Sequence, residues 1–217
     1  MSPFGFPVLL ELSGRRCVVI GELPVREGKV EALLAGGARE VVVVAEAPAE
    51  RLDDLALLYG VSVQRRRWAE TDLDGALLVI AHDPSQAERD AIALAARARG
   101  AMVNLVDDVP NCDWAMPAIV RRGELLIAIG TGGASPALAR RVRERLQDEY
   151  GPEWAEVVHI IREVREETRP LLPDLHDRAE RWREALNPDE AAALVRSGDV
   201  DELRARLVSR LLQGVSL

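Results

Sequence analysis

Four short, almost unbroken apolar runs dominate the first half of the chain: 16–20 (RCVVI), 40–45 (EVVVVA), 76–81 (ALLVIA) and 102–106 (MVNLV). Runs of this length, rich in β-branched residues, read as strands covered on both faces. Between them lie stretches with apolar residues at helical spacing. The first, 24–35, carries Val25, Val30, Leu33 and Leu34 and stops at Gly36-Gly37; the others are 48–58, stopped by Gly60, and 83–99, stopped by Gly100. A weaker strand is expected at 61–64, and residues 6–10 read as a short opening strand or arm. Strands alternating with helices predict a parallel, doubly wound, Rossmann-like α/β sheet. In the common strand order the first and fourth strands flank the switch point, so Gly21 and His82 are expected to face the ligand crevice.

From Pro117 the pattern changes. Short runs at 118–120 and 125–129 flank Arg121-Arg122-Gly123, and Gly130-Thr131-Gly132-Gly133-Ala134-Ser135-Pro136 follows. Ser135 suits a helix N-cap and Pro136 the first turn of a helix through 148. Beyond Gly151-Pro152 the chain is charged and helical, with segments expected at 153–168, 174–186, 188–196 and 199–213. The expected division is a sheet domain at 1–114, a small α+β unit at 115–150 and a helical domain at 151–217. The strand–strand–helix unit is too small to bury its own apolar faces, which predicts pairing with a second copy.

Net charge of −8 argues against nucleic acid as the main partner. No apolar run approaches the ~20 residues of a membrane span, and no basic segment precedes the N-terminal apolar run, so no membrane partner and a cytoplasmic location are expected. Cys17 and Cys112 have no metal-ligand spacing and read as one buried and one loop thiol, with no protein metal site. Lys29 is the single lysine among 28 basic residues. The run Arg65-Arg66-Arg67 reads as a solvated edge.

Chemistry concentrates at 101–136, where the fifth strand ends in Asp107-Asp108 and a loop with Cys112 and Asp113 follows. This stretch resembles the precorrin-2 dehydrogenase/sirohydrochlorin ferrochelatase family, the N-terminal module of siroheme synthases. The family pattern is roughly VN-x-VDD-x-x-x-C-x-F-x-x-PA-x-x-RRG-x-L-x-IAISTGGASPALAR, and 103–140 follows it almost residue for residue. Trp114 stands at the usual aromatic position, and Gly130 replaces the usual serine before Thr131.

The resemblance implies NAD-dependent oxidation of precorrin-2 to sirohydrochlorin, with ferrochelatase activity on ferrous iron as an extension, in a homodimer. It implies Asp107, the first aspartate of the pair, as the catalytic carboxylate. Gly21, Pro24, Val25, Glu46 and Ala47 are the implied cofactor contacts, and Thr131, Arg121 and Arg122 the implied tetrapyrrole contacts. Glu46, ending the second strand, suits a ribose hydroxyl and disfavours a 2′-phosphate, hence NAD over NADP.

The loop after the first strand departs from the family's G-G-G-x-V-A. Gly21-Glu22-Leu23-Pro24-Val25-Arg26 keeps only the first glycine, places a branched side chain at the pyrophosphate position and adds a carboxylate at a helix N-terminus. A second reading is therefore open: a family member with a degenerate NAD site, acting as a chelatase or as a tetrapyrrole- or metal-binding protein. His82 reads as a crevice histidine or a solvent-facing loop residue, and Asn104 as a structural polar residue.

Overall fold

The computed structural model describes residues 4–21 and 26–215. The chain divides into two compact units, 1–116 and 117–217.

In the first unit five parallel strands, β1 (Arg16–Ile20), β2 (Glu40–Ala45), β3 (Ser62–Arg65), β4 (Ala76–Ala81) and β5 (Met102–Leu105), lie in the order β3-β2-β1-β4-β5. The chain winds outward from β1 in both directions, so β1 and β4 flank the switch point as the apolar runs predict. Strand side chains alternate in direction, and the two faces sort cleanly. Cys17, Val19, Val41, Val43, Leu78 and Ile80 pack with Val30 and Leu33 of α1 (Arg26–Ala35) and Leu52 and Leu55 of α2 (Arg51–Tyr59). Val18, Ile20, Val42, Val44, Val79, Ala81, Val103 and Leu105 pack with Ile92, Ala93 and Ala96 of α3 (Gln86–Ala98). Fully burying each large aliphatic side chain is worth about 1.5–3 kcal/mol, which explains why polar residues in the four apolar runs are confined to Arg16 and Glu40 at the strand starts and to Asn104.

Three expectations change. Residues 6–10 form no strand; Phe6, Val8 and Leu9 are exposed, and Pro7 lacks the amide a ladder would need. Between β3 and β4, where a turn at Asp72-Leu73-Asp74-Gly75 is expected from the residue types, the chain forms a 3₁₀ segment, Glu70–Leu73, because Asp72 is buried and anchors it. Its carboxylate accepts from Arg66 at 2.6 and 2.7 Å and from the Ala69 N–H at 2.8 Å. Arg66 is thus a structural partner, while Arg65 pairs with Asp53 and Arg67 with Glu88 on the surface.

In the second unit β6 (Ala118–Arg122) and β7 (Leu125–Ile129) form an antiparallel pair against α4 (Pro136–Glu149) and α5 (Glu153–Thr168). Gly123 turns the hairpin at φ 55° with its α-carbon against Ala155, so neither the backbone angle nor the space admits a side chain readily. Helices α5, α6 (Leu175–Ala185), α7 (Pro188–Ser197) and α8 (Val200–Leu211) enclose a core of Val157, Ile160, Val164, Leu203, Leu207 and Leu211. Among the described residues no helix is long and apolar enough to cross a membrane.

Candidate functional site

The carboxyl end of the sheet is built first by a close approach between β1 and β4. The His82 N–H donates to the Ile20 carbonyl (3.1 Å), and the Gly21 N–H to that of Val44 (3.0 Å). Gly21 has φ 105°, and a β-carbon there would lie 1.9 Å from the His82 carbonyl oxygen. Only glycine fits this crossing, so the first glycine of the loop is required by the backbone itself. His82 is half-buried rather than solvent-facing, and its Nδ1 is buried with no hydrogen-bond partner among the described residues. Glu46 and Ala47 are exposed just past β2. Pro24 and Val25, with Glu22 and Leu23, lie outside the described residues.

The second component is the loop that follows β5. As the edge strand, β5 presents unpaired backbone groups on its outer side, and segment 111–114 covers them as a further strand would. The Asp113 N–H donates to the Val103 carbonyl (2.8 Å), and the Asp113 carboxylate accepts from the Val103 N–H (2.9 Å). The Cys112 thiol accepts from the Leu105 N–H (3.1 Å) and shares its one proton between the carbonyls of Leu105 (3.2 Å) and Asp108 (3.3 Å). Asn104, buried, donates through its amide to the Trp114 carbonyl (2.9 Å), and the Trp114 indole N–H donates to that of Met102 (3.2 Å). Burial pushes the Cys112 thiol above its ordinary range, so it stays protonated at neutral pH. A fully engaged, protonated thiol is a fastener and a poor metal ligand. No cluster of metal-binding side chains occurs among the described residues.

Within this locked loop the two aspartates separate completely. Asp108 accepts from Gln86 Nε2 (3.1 Å) and Asn111 Nδ2 (3.0 and 3.2 Å) and lies 3.5 Å from Arg89 Nε. The Asn111 and Gln86 amides and the Arg89 guanidinium hold its carboxyl below the usual carboxylate range. Asp107 is exposed and adopts φ 61°, the only left-handed non-glycine conformation among the described residues. Such a conformation costs of order 1 kcal/mol and persists only where surrounding contacts impose it. Here the Val106 N–H bond to Ala81 (2.9 Å) on one side and the Asp108–Asn111–Cys112 network on the other impose it.

Lys29 is a residue that sequence reasoning passed over. It is half-buried on α1, with no hydrogen bond or ion pair among the described residues. Burial pulls its ammonium below the ordinary range, and the negative charge of Asp107 partly opposes that shift. Its rarity in an arginine-rich chain was the one available signal.

The remaining expected contacts belong to the second unit. Thr131 Oγ1 donates to the Ser135 carbonyl (3.2 Å) and accepts the Ser135 N–H (3.3 Å), closing the glycine turn. Ser135 caps α4 by accepting from the Leu138 N–H (3.1 Å), with Pro136 in the first turn as expected. Arg122 donates to the carbonyls of Tyr150 (2.8 Å) and Gln147 (3.0 Å), which satisfies the end of α4. Arg121 is exposed.

A carboxylate at a strand end, beside a crevice whose backbone crossing admits only glycine, suits proton removal from a ligand bound at the switch point. Comparison with known proteins bears on the family. Residues 8–118, just over half of the chain, match the family described as "Putative NAD(P)-binding", and residues 122–149 match "Sirohaem biosynthesis protein central". The siroheme synthase of Chromobacterium violaceum is 34% identical over 209 residues, which are 96% of this chain and 44% of that protein. That of Methylococcus capsulatus is 33% identical over 196 residues, 90% of this chain and 41% of the relative. The chain thus spans less than half the length of these relatives. The solved structure of SirC, precorrin-2 dehydrogenase, shares the fold with a TM-score of 0.62 at 23% identity, covering 97% of this chain and 98% of that one.

Proposed function

The chain belongs to the precorrin-2 dehydrogenase family, the module found in siroheme synthases, and on that premise we propose that it oxidises precorrin-2 to sirohydrochlorin with NAD. The observation that carries this reading is Asp107: exposed, left-handed, and spared the structural bonding that consumes Asp108. When bound, NAD supplies the hydride acceptor. Gly21 supplies the glycine with which a dinucleotide-binding turn opens after the first strand, and Glu46 and Ala47 stand just past the end of β2, where such folds grip a ribose. The negative charge of Glu46 disfavours a 2′-phosphate, which supports NAD over NADP.

In this oxidation the macrocycle gives up a hydride and a proton. The proton is this chain's task, and the Asp107 carboxylate accepts it. Ionised Asp108 lies next in sequence, but its charge is met by Arg89, so it does not compete for that proton. Thr131 and Arg121 are the proposed contacts for substrate carboxylates. Arg122 is the weaker candidate, since its donors already serve α4.

We extend the proposal to pairing of two copies through 117–150. Half-buried Leu125, Leu126 and Ile127 on a two-stranded sheet, and exposed Leu138 on α4, are the support. A second reading comes from Glu22, Leu23 and Pro24, which oppose a pyrophosphate in charge, shape and amide count. There the chain acts as a ferrochelatase or tetrapyrrole binder, with Asp107 taking pyrrole protons as ferrous iron enters.

One experiment separates the two. Purified protein is titrated with NAD by calorimetry and then given precorrin-2 anaerobically while NADH absorbance is followed. Saturable NAD binding with NADH formation is expected. Sirohydrochlorin metallation with no NAD binding and no NADH would favour the second reading.

A further inference from the structure

Arg89 stands near the start of α3, where a cation opposes the helix dipole, and its side chain is only 18% exposed. Specific partners hold the guanidinium in this unfavourable place. Nη1 donates to the Asp83 carbonyl and Nη2 to Gln86 Oε1, while Nε, buried and without a hydrogen bond, lies 3.5 Å from Asp108 Oδ2 as an ion pair. Gln86 and Arg89 are three residues apart and share one face of the helix, and Gln86 Nε2 also reaches Asp108 Oδ2 (3.1 Å). The other carboxylates at this end of α3 are engaged elsewhere. Asp83 accepts from the Ser85 N–H (2.8 Å), Glu88 from the Trp68 indole (3.2 Å) and Asp90 from Gln86 (2.8 Å). Asp108 is the carboxylate that Arg89 meets.

The consequence falls on the residue beside it. Asp107, at φ 61°, sits between two attachments. On one side the Val106 N–H donates to the Ala81 carbonyl (2.9 Å); on the other the Asp108 carboxylate is tied to Gln86 and Arg89. Both attachments end on the same stretch of chain, from the last residue of β4 into α3, and that stretch carries His82 against Gly21 at the switch point. We infer that Arg89 is a positioning residue: its guanidinium straps the turn after β5 to the start of α3 and so fixes the Asp107 carboxylate relative to the crevice. The inference rests on the reading of Asp107 as the base. The shape of the side chain matters as much as its charge. A rigid fork spans a carbonyl, an amide oxygen and a carboxylate at once, whereas an ammonium gathers its donors at one point.

Arg89→Lys therefore tests the strap while keeping a cation beside Asp108, so the fold should survive. It is expected to lower kcat about tenfold, as a small misplacement of the base would, with KM for precorrin-2 changed less than about twofold. In an Asp107→Asn background the same substitution should alter the residual rate less than about twofold, because no base is left to misplace. A kcat near wild type in Arg89→Lys, or an equal fall in both backgrounds, overturns the inference.

Amide exchange supplies an arm independent of turnover. The Asn111 and Cys112 N–H groups bond within the turn to the carbonyls of Asp108 (3.1 Å) and Val109 (3.2 Å). Both should exchange about tenfold faster in Arg89→Lys, while Val43 in β2 keeps its wild-type protection. Unchanged exchange at Asn111 and Cys112 overturns the inference. If wild-type protein forms no NADH, the proposed function fails by itself, and the exchange comparison still decides whether Arg89 holds the turn.

Discussion

The turn after β5 and the turn after β7 each present a polar side chain on irregular backbone, yet they are built in opposite ways. After β5, side chains fasten the loop to the strand: Cys112 to Leu105, Asp113 to Val103, Asn104 to Trp114. After β7, two glycines at φ 62° and 82° make the bend, and Thr131 and Ser135 close it with each other. The first turn forces a strained aspartate into place, and the second relaxes strain by leaving side chains out. A proton acceptor needs a fixed position, because proton transfer depends on hydrogen-bond reach. A contact for substrate carboxylates can adjust.

Removing the carboxylate from the fastened loop should have the largest effect. Asp107→Gly is expected to lower turnover at least about 100-fold while raising stability by about 1 kcal/mol, since glycine carries no penalty at this backbone angle. Steady-state rates and urea unfolding check both halves. A loss of activity accompanied by a loss of stability would mean that Asp107 is structural.

Unfastening the loop comes next. Asp113→Ala should cost about 2–3 kcal/mol, mostly by orphaning the Val103 N–H, since the exposed pair with Arg97 contributes little. Cys112→Ala should cost about 1–2 kcal/mol for the same reason at Leu105. Turnover should fall in both, because the φ of Asp107 is no longer imposed. Cys112→Ser should recover part of each loss.

The glycine turn should respond differently. Thr131→Ala is expected to change stability by less than about 1 kcal/mol, with its effect mainly on KM for the tetrapyrrole. A kcat loss as large as that from Asp113→Ala would erase the contrast between the turns.

The smallest expected effect is in acid. The Asp108 carboxyl is depressed in the folded state, so its contribution is present above the unfolded value of about 3.9 and is lost as pH falls through the folded value. The stability difference between wild type and Asp108→Asn should therefore begin to shrink as pH falls toward about 4 and go on shrinking as pH drops through the folded value. A difference that persists at the lowest pH would assign it to shape and not charge.

The sheet was readable from the chain because its strands are continuous apolar runs, and such runs have few alternative fates. The helix starts at Ser135 and Asn187-Pro188 were readable for a local reason: a cap acts within three residues. The fastening of the β5 loop was only half readable. The family pattern marks Cys112 and the aromatic position, but that they replace a missing strand follows from β5 being an edge, which strand order decides. The arm at 6–10 misled because apolar content suggests a strand even where no neighbour is available to pair with it.

The most direct test of Asp107 as proton acceptor is the single-turnover rate of NADH formation from precorrin-2 with Asp107→Asn, measured anaerobically beside amide hydrogen exchange at Val103 and Leu105. Asparagine keeps the shape and removes the base. The account predicts at least about a 100-fold slower rate with exchange protection unchanged. A rate near wild type in a protein whose loop remains protected would contradict it.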